Sequence, residues 1–362
     1  MSDLLYSDTE EALRDSVRRL FADRCPSEAI TSLYDAAPQD FSGVWRTLTA
    51  DLGLAGLLVP EDLGGAGATA REAAVVMEEI GRAVAPVPYL TSAVVATVAL
   101  LQSGDTATVK DLAAGALTAA LAVPLSATPG DAITGVSPGI TGRVASVAGA
   151  LEADLLLVPV AGPDGVELHT VARDAAGVRV TPVLSLDMTR PLADVEFTDA
   201  ASTRVGAGSA EAAISAALET GAALLASEQL GIATWCFETT LAYAKQRKQF
   251  GRAIGSYQAI KHRLADLWIE VNSATAAARY AADTCAREDG DAAIAAAVAQ
   301  AYCSGTAVHA AEECVQLHGG LGMTWEYPAH LYLKRAKSDQ LAFGTAYRHR
   351  ARLAGLVDLP AS

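Results

Sequence analysis

Tyr243-Ala-Lys-Gln-Arg247-Lys-Gln249-Phe250-Gly251-Arg-Ala-Ile-Gly255-Ser-Tyr-Gln258 is the stretch on which the reading of this chain turns. Taken locally, its Arg-Lys-x-Phe-Gly core is a helix end. Cations are favourable at the negative pole of a helix, and Gly251 closes the turn. A second stretch lies in the same half of the chain: Cys314-Val-Gln316-Leu-His318-Gly319-Gly320-Leu-Gly322-Met-Thr-Trp325-Glu-Tyr-Pro328. A Gly-Gly pair stops a helix, and it also lets backbone approach a ligand closely.

Around both stretches the apolar period is helical. Ile260, Leu264, Leu267, Trp268 and Val271 form one face. Ile294, Val298, Ala301, Gly305 and Val308 step by four and three, the spacing of a seam in a helical bundle. Upstream, Leu117–Leu125, Asp154–Val160, Val166–Val171, Val178–Leu186 and Ala193–Phe197 are short runs rich in Val, Leu and Thr, separated by Gly, Pro and Asp. They predict antiparallel strands. At the start, Ser7 and Glu10 match a capping box, and Leu13, Val17, Leu20 and Phe21 repeat at helical spacing. A loop-like stretch over 52–67 precedes a helix from about Ala70 that stops at Pro86 and Pro88. The expected fold is therefore α+β and multidomain: N-terminal helices over 1–116, a middle antiparallel β-domain over 117–207 and a C-terminal four-helix bundle over 208–362.

Composition bounds the function. A chain of 362 residues with 51% apolar residues is long enough for two or three domains. A net charge of −15 argues against nucleic acid and against an anionic membrane surface. A few local arginines still suffice for a phosphorylated ligand. Five cysteines with no CxxC pair suit reduced thiols. No signal peptide and no membrane span are read, so a cytoplasmic location is expected.

The two C-terminal stretches, with His330-Leu-Tyr-Leu-Lys-Arg-Ala-Lys337, resemble the acyl-CoA dehydrogenase family over about 209–357. Gly53-Leu-Ala-Gly-Leu-Leu-Val-Pro60-Glu-Asp-Leu-Gly-Gly-Ala-Gly67 extends the resemblance to the N-terminal domain. The resemblance implies FAD as cofactor, an acyl-CoA substrate and an electron-transfer flavoprotein as acceptor. It implies that Arg247 meets the FAD pyrophosphate, a role suited to a forked planar cation. Gln249 and Phe250 would flank the adenosine half, Gln258 would follow on the next helix as a further cofactor-binding residue, Gln316, Gly319 and Gly320 would line the adenine side, and Thr345 would contact the cofactor. In the family these contacts reach the flavin of a neighbouring subunit.

The same resemblance exposes a gap. The family chemistry needs a carboxylate to remove an α-proton while the flavin accepts the β-hydride. That Glu belongs to a Tyr-Glu-Gly-Thr stretch, and this chain reads Ala342-Phe343-Gly344-Thr345. Some members place the base on the helix before the Arg-Lys-x-Phe-Gly segment. That position falls near Gly221, and the nearest carboxylate is Glu219. Two residues on a helix rotate a side chain by ~200°, so Glu219 is a weak candidate and a solvated charge is the plainer reading. The segment Val123-Pro-Leu-Ser-Ala-Thr-Pro-Gly-Asp131 has neither the glutamate nor the Gly-Ser-Asp of members that hold the flavin ring, and no tryptophan falls in the β-domain.

These departures make the chain similar to the degenerate subunits of heteromeric α2β2 acyl-CoA dehydrogenases of actinobacteria, which act on bulky acyl-CoA substrates such as steroids. The expectation is a subunit that contributes the adenosine half of a site completed by a homologous chain. Two alternatives stay open: a self-sufficient homo-oligomer with a displaced carboxylate, and a non-redox acyl-CoA-binding or scaffold protein. Gly65-Ala-Gly67-Ala-Thr-Ala70 matches G-x-G-x-x-A but lacks a preceding strand, so no dinucleotide fingerprint is read. The six histidines show no metal spacing.

Overall fold

The computed structural model describes residues 4–35, 39–131, 136–137, 139–163, 165–287 and 290–359. The N-terminal helices are α1 (Asp8–Arg24), short α2 (Ser27–Thr31) and α3 (Ser42–Arg46), α4 (Ala70–Ala83), α5 (Thr97–Ser103) and α6 (Thr106–Ala113). The capping box at α1 forms: the Ser7 amide donates to the Glu10 carboxylate at 2.6 Å, and the Glu10 amide to Ser7 Oγ at 3.3 Å. A second box, Thr69 with Glu72, opens α4. The stretch expected as a loop carries two 3-10 turns, Leu54–Gly56 and Glu61–Leu63.

The middle strands are β1 (Ala119–Leu121), β2 (Val136–Ser137), β3 (Thr141–Ala148), β4 (Leu155–Gly162), β5 (Gly165–Ala172), β6 (Val178–Val183), β7 (Leu192–Phe197) and β8 (Thr203–Val205). They make two four-stranded sheets, ordered β1-β4-β5-β8 and β2-β3-β7-β6. Alternation along each strand fills the space between the sheets with Val144, Val158, Val160, Val171, Val195 and Phe197. β4 is buried on both faces, because Leu157 points the other way into the core shared with the helices. One ladder departs from the antiparallel expectation: β1 runs parallel to β4. The chain between them detours through the second sheet and returns in the same direction. β3 escaped the sequence reading because Thr141-Gly-Arg-Val-Ala-Ser lacks a β-branched run.

The C-terminal part is α7 (Glu211–Gln246), a hairpin of β9 (Lys248–Gln249) and β10 (Arg252–Ala253), then α8 (Gln258–Ala286), α9 (Ala292–His318), α10 (Ala329–Asp339) and α11 (Ala346–Leu356). α4 crosses α7 at a reciprocal glycine pair. A Cβ on Gly81 would lie 1.9 Å from the Glu228 carbonyl oxygen, and one on Gly231 would lie 1.9 Å from the Glu78 carbonyl oxygen. Backbone-to-backbone packing this tight fixes the N-terminal helices on the bundle. Two faces expected in the bundle core are not wholly buried. Trp268 is 54% exposed, and along the α9 seam Val298 is 41% exposed and Gly305 is at the surface. Ala295, Ala299, Cys303, Ala307, Ala310 and Cys314 supply the core side of α9 instead. Among the described residues, no helix is long and apolar enough to cross a membrane.

Candidate cofactor half-site and the filled base position

Arg247 caps α7 in extended conformation, and its carbonyl accepts from the Ile254 amide at 2.8 Å. The hairpin that follows turns through Phe250 (φ 51°) and Gly251 (φ 80°). Two consecutive positive φ values are the turn whose twist matches a β-hairpin. The Tyr257 hydroxyl donates to the Gln249 carbonyl at 3.2 Å, and the Arg252 guanidinium stacks 3.8 Å above the Tyr257 ring. The braced hairpin presents Phe250 at its tip, 93% exposed, with Arg247 and Gln249 exposed beside it and Gln258 exposed as the first residue of α8. No acid occurs between Glu238 and Asp266, whereas Lys245, Arg247, Lys248, Arg252, Lys261 and Arg263 all do. In an acidic chain this is a local positive field at a surface with free guanidinium capacity.

The second segment meets the first. His318 stacks on Tyr243 with ring centroids 4.2 Å apart, and Ala244, Leu264 and Leu317 pack as one cluster. His318 is buried between two partners. Its Nδ1 lies 2.7 Å from the Cys314 carbonyl oxygen, which can only accept, so that nitrogen carries the proton. Nε2 then accepts from the Tyr327 hydroxyl at 2.6 Å. Both nitrogens are engaged, which makes His318 a brace for the loop. The loop it holds presents Gly319 and Gly320 to solvent: a Cβ on either would meet nothing within 4 Å. Gln316 is exposed one turn earlier. Arg247, Gln249, Phe250, Gln258, Gln316, Gly319 and Gly320 therefore share one end of the bundle. An exposed guanidinium beside an open glycine backbone fits a dinucleotide pyrophosphate and its adenosine.

Phe343 and Thr345 are elsewhere. The Phe343 amide donates to the Leu125 carbonyl at 2.8 Å, its carbonyl accepts from His349 Nε2 at 2.9 Å, and its ring is buried. A Cβ on Gly221 would stand 2.9 Å from Phe343 Cζ and 2.9 Å from Val95 Cγ2. The two positions where the resemblance led us to expect a base thus meet at one spot, and a phenyl ring fills it. The space left among Thr91, Val95, Leu218 and Phe343 is about 20 Å³, room for one water. The segment that departs from the ring-binding pattern closes over the same place. Thr128 packs on Gly344, and Asp131 pairs with Arg348. Among the described residues, Phe343, Thr128 and Asp131 occupy the space around the 343 turn. Thr345 Oγ1 caps α11, accepting from the Arg348 amide at 3.5 Å. Glu219 is half-buried in an ion pair with Arg352. Sequence reasoning located positions 221 and 343 separately, but their contact depends on how α7 meets the 343 turn.

Gly221 and Arg247 stand 26 residues apart along α7, so ~39 Å separates the Gly221–Phe343 contact from Arg247. That span exceeds an extended FAD molecule. The described acyl-CoA dehydrogenase N-terminal domain matches residues 7–116, and the C-terminal domain of the same family matches 206–355. The acyl-CoA dehydrogenase IpdE2 of Mycolicibacterium smegmatis is 33% identical over 347 residues, covering 96% of this chain and 98% of its own. This chain belongs to the acyl-CoA dehydrogenase family. Membership places it among flavin-dependent oxidoreductases and accounts for the order of helices, β-domain and helical bundle. Solved structures similar to this chain include the ChsE4-ChsE5 complex from Mycobacterium tuberculosis, with a TM-score of 0.88 and 26% identity over all of both chains. Another is the Tcur3481-Tcur3483 steroid acyl-CoA dehydrogenase variant, with a TM-score of 0.85 and 28% identity over 97% of this chain and 98% of that one.

Proposed function

We propose that this chain is the non-self-sufficient subunit of a heteromeric, FAD-dependent acyl-CoA dehydrogenase. Its own residues Arg247, Gln249, Phe250, Gln258, Gln316, Gly319 and Gly320 hold the pyrophosphate and adenosine of a flavin whose ring lies in a homologous partner. The partner supplies the glutamate base and the acyl pocket. Bound FAD supplies hydride acceptance from the β-carbon of the acyl thioester. The observation that carries this reading is the buried Phe343 ring standing where the resemblance expects a carboxylate, packed against Gly221 and Val95. A flavin held by Arg247 cannot be one whose ring would lie beside Phe343 of the same chain. The Glu219–Arg352 ion pair favours this reading over one with a displaced base. The substrate class is a bulky acyl-CoA, taken from the steroid-directed structural relative. An electron-transferring flavoprotein is the acceptor. The location is the cytoplasm, where five cysteines outside any disulfide stay reduced.

The test is the visible spectrum of the chain purified alone and purified after co-expression with a homologous subunit that retains the glutamate. A colourless chain and a yellow complex bleached by acyl-CoA are expected. A full flavin band in the chain alone, bleached by acyl-CoA, would sink the reading.

A further inference from the structure

A cavity of about 330 Å³ lies where the end of α1, α2, the end of α4, the middle of α7 and α10 come together. It takes no part in either place described above. Trp235 on its wall stands 14 residues from Gly221 and 12 from Arg247, so ~21 Å and ~18 Å along α7 separate it from the two. Phe21, Cys25, Ile30, Val84 and Leu331 give it apolar walls, and exposed Ala22 and Pro26 mark its mouth. Trp235 and Tyr332 stack on its lining with ring centroids 3.6 Å apart and planes 6° from parallel. Tyr332 is buried and Trp235 half-buried, so the indole is the more open of the two rings. Val84 closes α4 at φ 49°, a left-handed value that a β-branched residue adopts only under constraint. Backbone strain of that kind gathers at ligand clamps.

We propose that this cavity binds a small organic anion, a flat ring system that carries a carboxylate. Its size is that of a small-molecule pocket, and its hydrogen-bonding groups are one-sided. The acceptors on the wall are already engaged. Glu79 accepts from Arg18 Nε at 2.9 Å and from Arg18 Nη2 at 2.6 Å, and the Arg82 carbonyl accepts from the Tyr332 hydroxyl at 2.8 Å. The donors are not. Arg82 gives Nη2 to Glu238, while its Nε and Nη1 have no partner among the described residues. Trp235 Nε1 and Ser27 Oγ have none there either. Apolar walls with a surplus of donors select a ligand that is apolar over its body and accepts at one end. A carboxylate meets a guanidinium through both oxygens. Arg82 can turn to it, because the Glu238 side chain is 52% exposed and an exposed ion pair contributes little. A flat ring laid on Trp235 extends the aromatic stack that Tyr332 begins. The site stands on this cavity alone and does not depend on the half-site.

Calorimetric titration of the full chain with 2-naphthoate tests it, with 2-naphthamide as the uncharged match in shape. Wild type is expected to take one 2-naphthoate per chain and to bind 2-naphthamide about tenfold more weakly or worse. Arg82→Met keeps the aliphatic stem and loses the donors. It is expected to weaken 2-naphthoate binding about tenfold to a hundredfold, the range for a hydrogen bond to a charged group. Glu238→Gln removes the competing carboxylate and is expected to tighten binding severalfold. Ala22→Trp, an exposed change at the mouth, is expected to fill the opening and abolish binding with the melting temperature unchanged. Absence of saturable binding to wild type overturns the proposal, and so does equal affinity for the two ligands. Binding that survives both Arg82→Met and Ala22→Trp overturns it as well, because the ligand then sits elsewhere. Flavin content is not read, so the outcome is separate from that of the half-site.

Discussion

Phe343 and Arg247 divide the chemistry of this chain at the level of single residues. Phe343 sits at φ 53°, a strained value for an aromatic residue, and its ring plugs the space between Gly221 and Val95. Restoring the family's acid by Phe343→Glu is therefore not expected to restore activity to the chain alone, since no acyl cavity opens with it. The new carboxyl would be buried with its pKa raised. A raised folded-state pKa gives stability that is fully present below the unfolded value and lost as pH rises, so this variant should lose denaturant midpoint from pH 5 to pH 8 relative to wild type. Arg247 is the reverse case: exposed, with no ion pair among the described residues. Arg247→Ala should leave the melting temperature unchanged. It should weaken flavin retention in the complex about tenfold to a hundredfold, the ~1.5–3 kcal/mol of a hydrogen bond to a charged group. Arg247→Lys should fall between, keeping the charge and losing the fork. Flavin retained after gel filtration reads both.

Elements are locked together by a buried charge network that no sequence pattern announced. The turn between β6 and β7 sends Arg190 to Glu228 on α7 at 2.6 Å and to Asp339 on α10. Arg335 of α10 reaches Glu228 and, at 3.6 Å, Asp187. Two cations thus face three carboxylates, all nearly inaccessible to water. Burial alone would raise Glu228, but Arg190 and Arg335 hold it down. Burial, then the charge of Glu228, pushes Asp339 up to about 7. Asp339 therefore has a folded pKa above its unfolded value near 4. Its stabilising contribution is full below about pH 4 and is lost as pH rises to about 7, by up to ~1.4 kcal/mol per pH unit. Asp339→Asn should flatten the pH dependence of stability between 5 and 7. Arg335→Met should cost ~3–5 kcal/mol, because Glu228 and Asp187 keep their charge and lose a partner. Thermal melts at several pH values check both. The α9 seam teaches a related point about elements. Its steps of four and three were legible in the sequence, but period alone does not say which neighbour fills the groove, and Gly305 finds none among the described residues.

At the scale of the molecule, what was legible follows from what is local. The capping box at Ser7, the stops at Pro86 and Pro88, and the end of a helix near Arg247 depend on neighbours in sequence, so the order of domains could be read; the hairpin at Phe250-Gly251 was read only as a helix end. The two segments that the structure brings to one end of the bundle were legible for the same reason, since Arg247 to Gln258 and Gln316 to Gly320 are each continuous. The meeting of Gly221 with Phe343, the closure of Thr128 over Gly344 and the Arg190–Glu228–Arg335 network join residues more than 35 positions apart, and nothing in the local pattern encodes them. That closure has a countable consequence for a complex with a homologous subunit. Each flavin needs a ring pocket from one chain and an adenosine surface from the other. Under the proposed reading, this chain's open adenosine surface pairs with the partner's ring pocket to give one competent site. The partner's adenosine surface faces this chain's filled pocket and gives none. Purified complex should therefore carry one flavin for every two chains, measured from the flavin absorbance after denaturation against total protein. Phe343→Ala empties the ring-filled spot but leaves the Thr128 and Asp131 contacts closed, so the ratio should stay at one to two. Two flavins for two chains in the wild-type complex would mean that the closed segment opens to admit a ring, and the division of labour between the chains would fail with it.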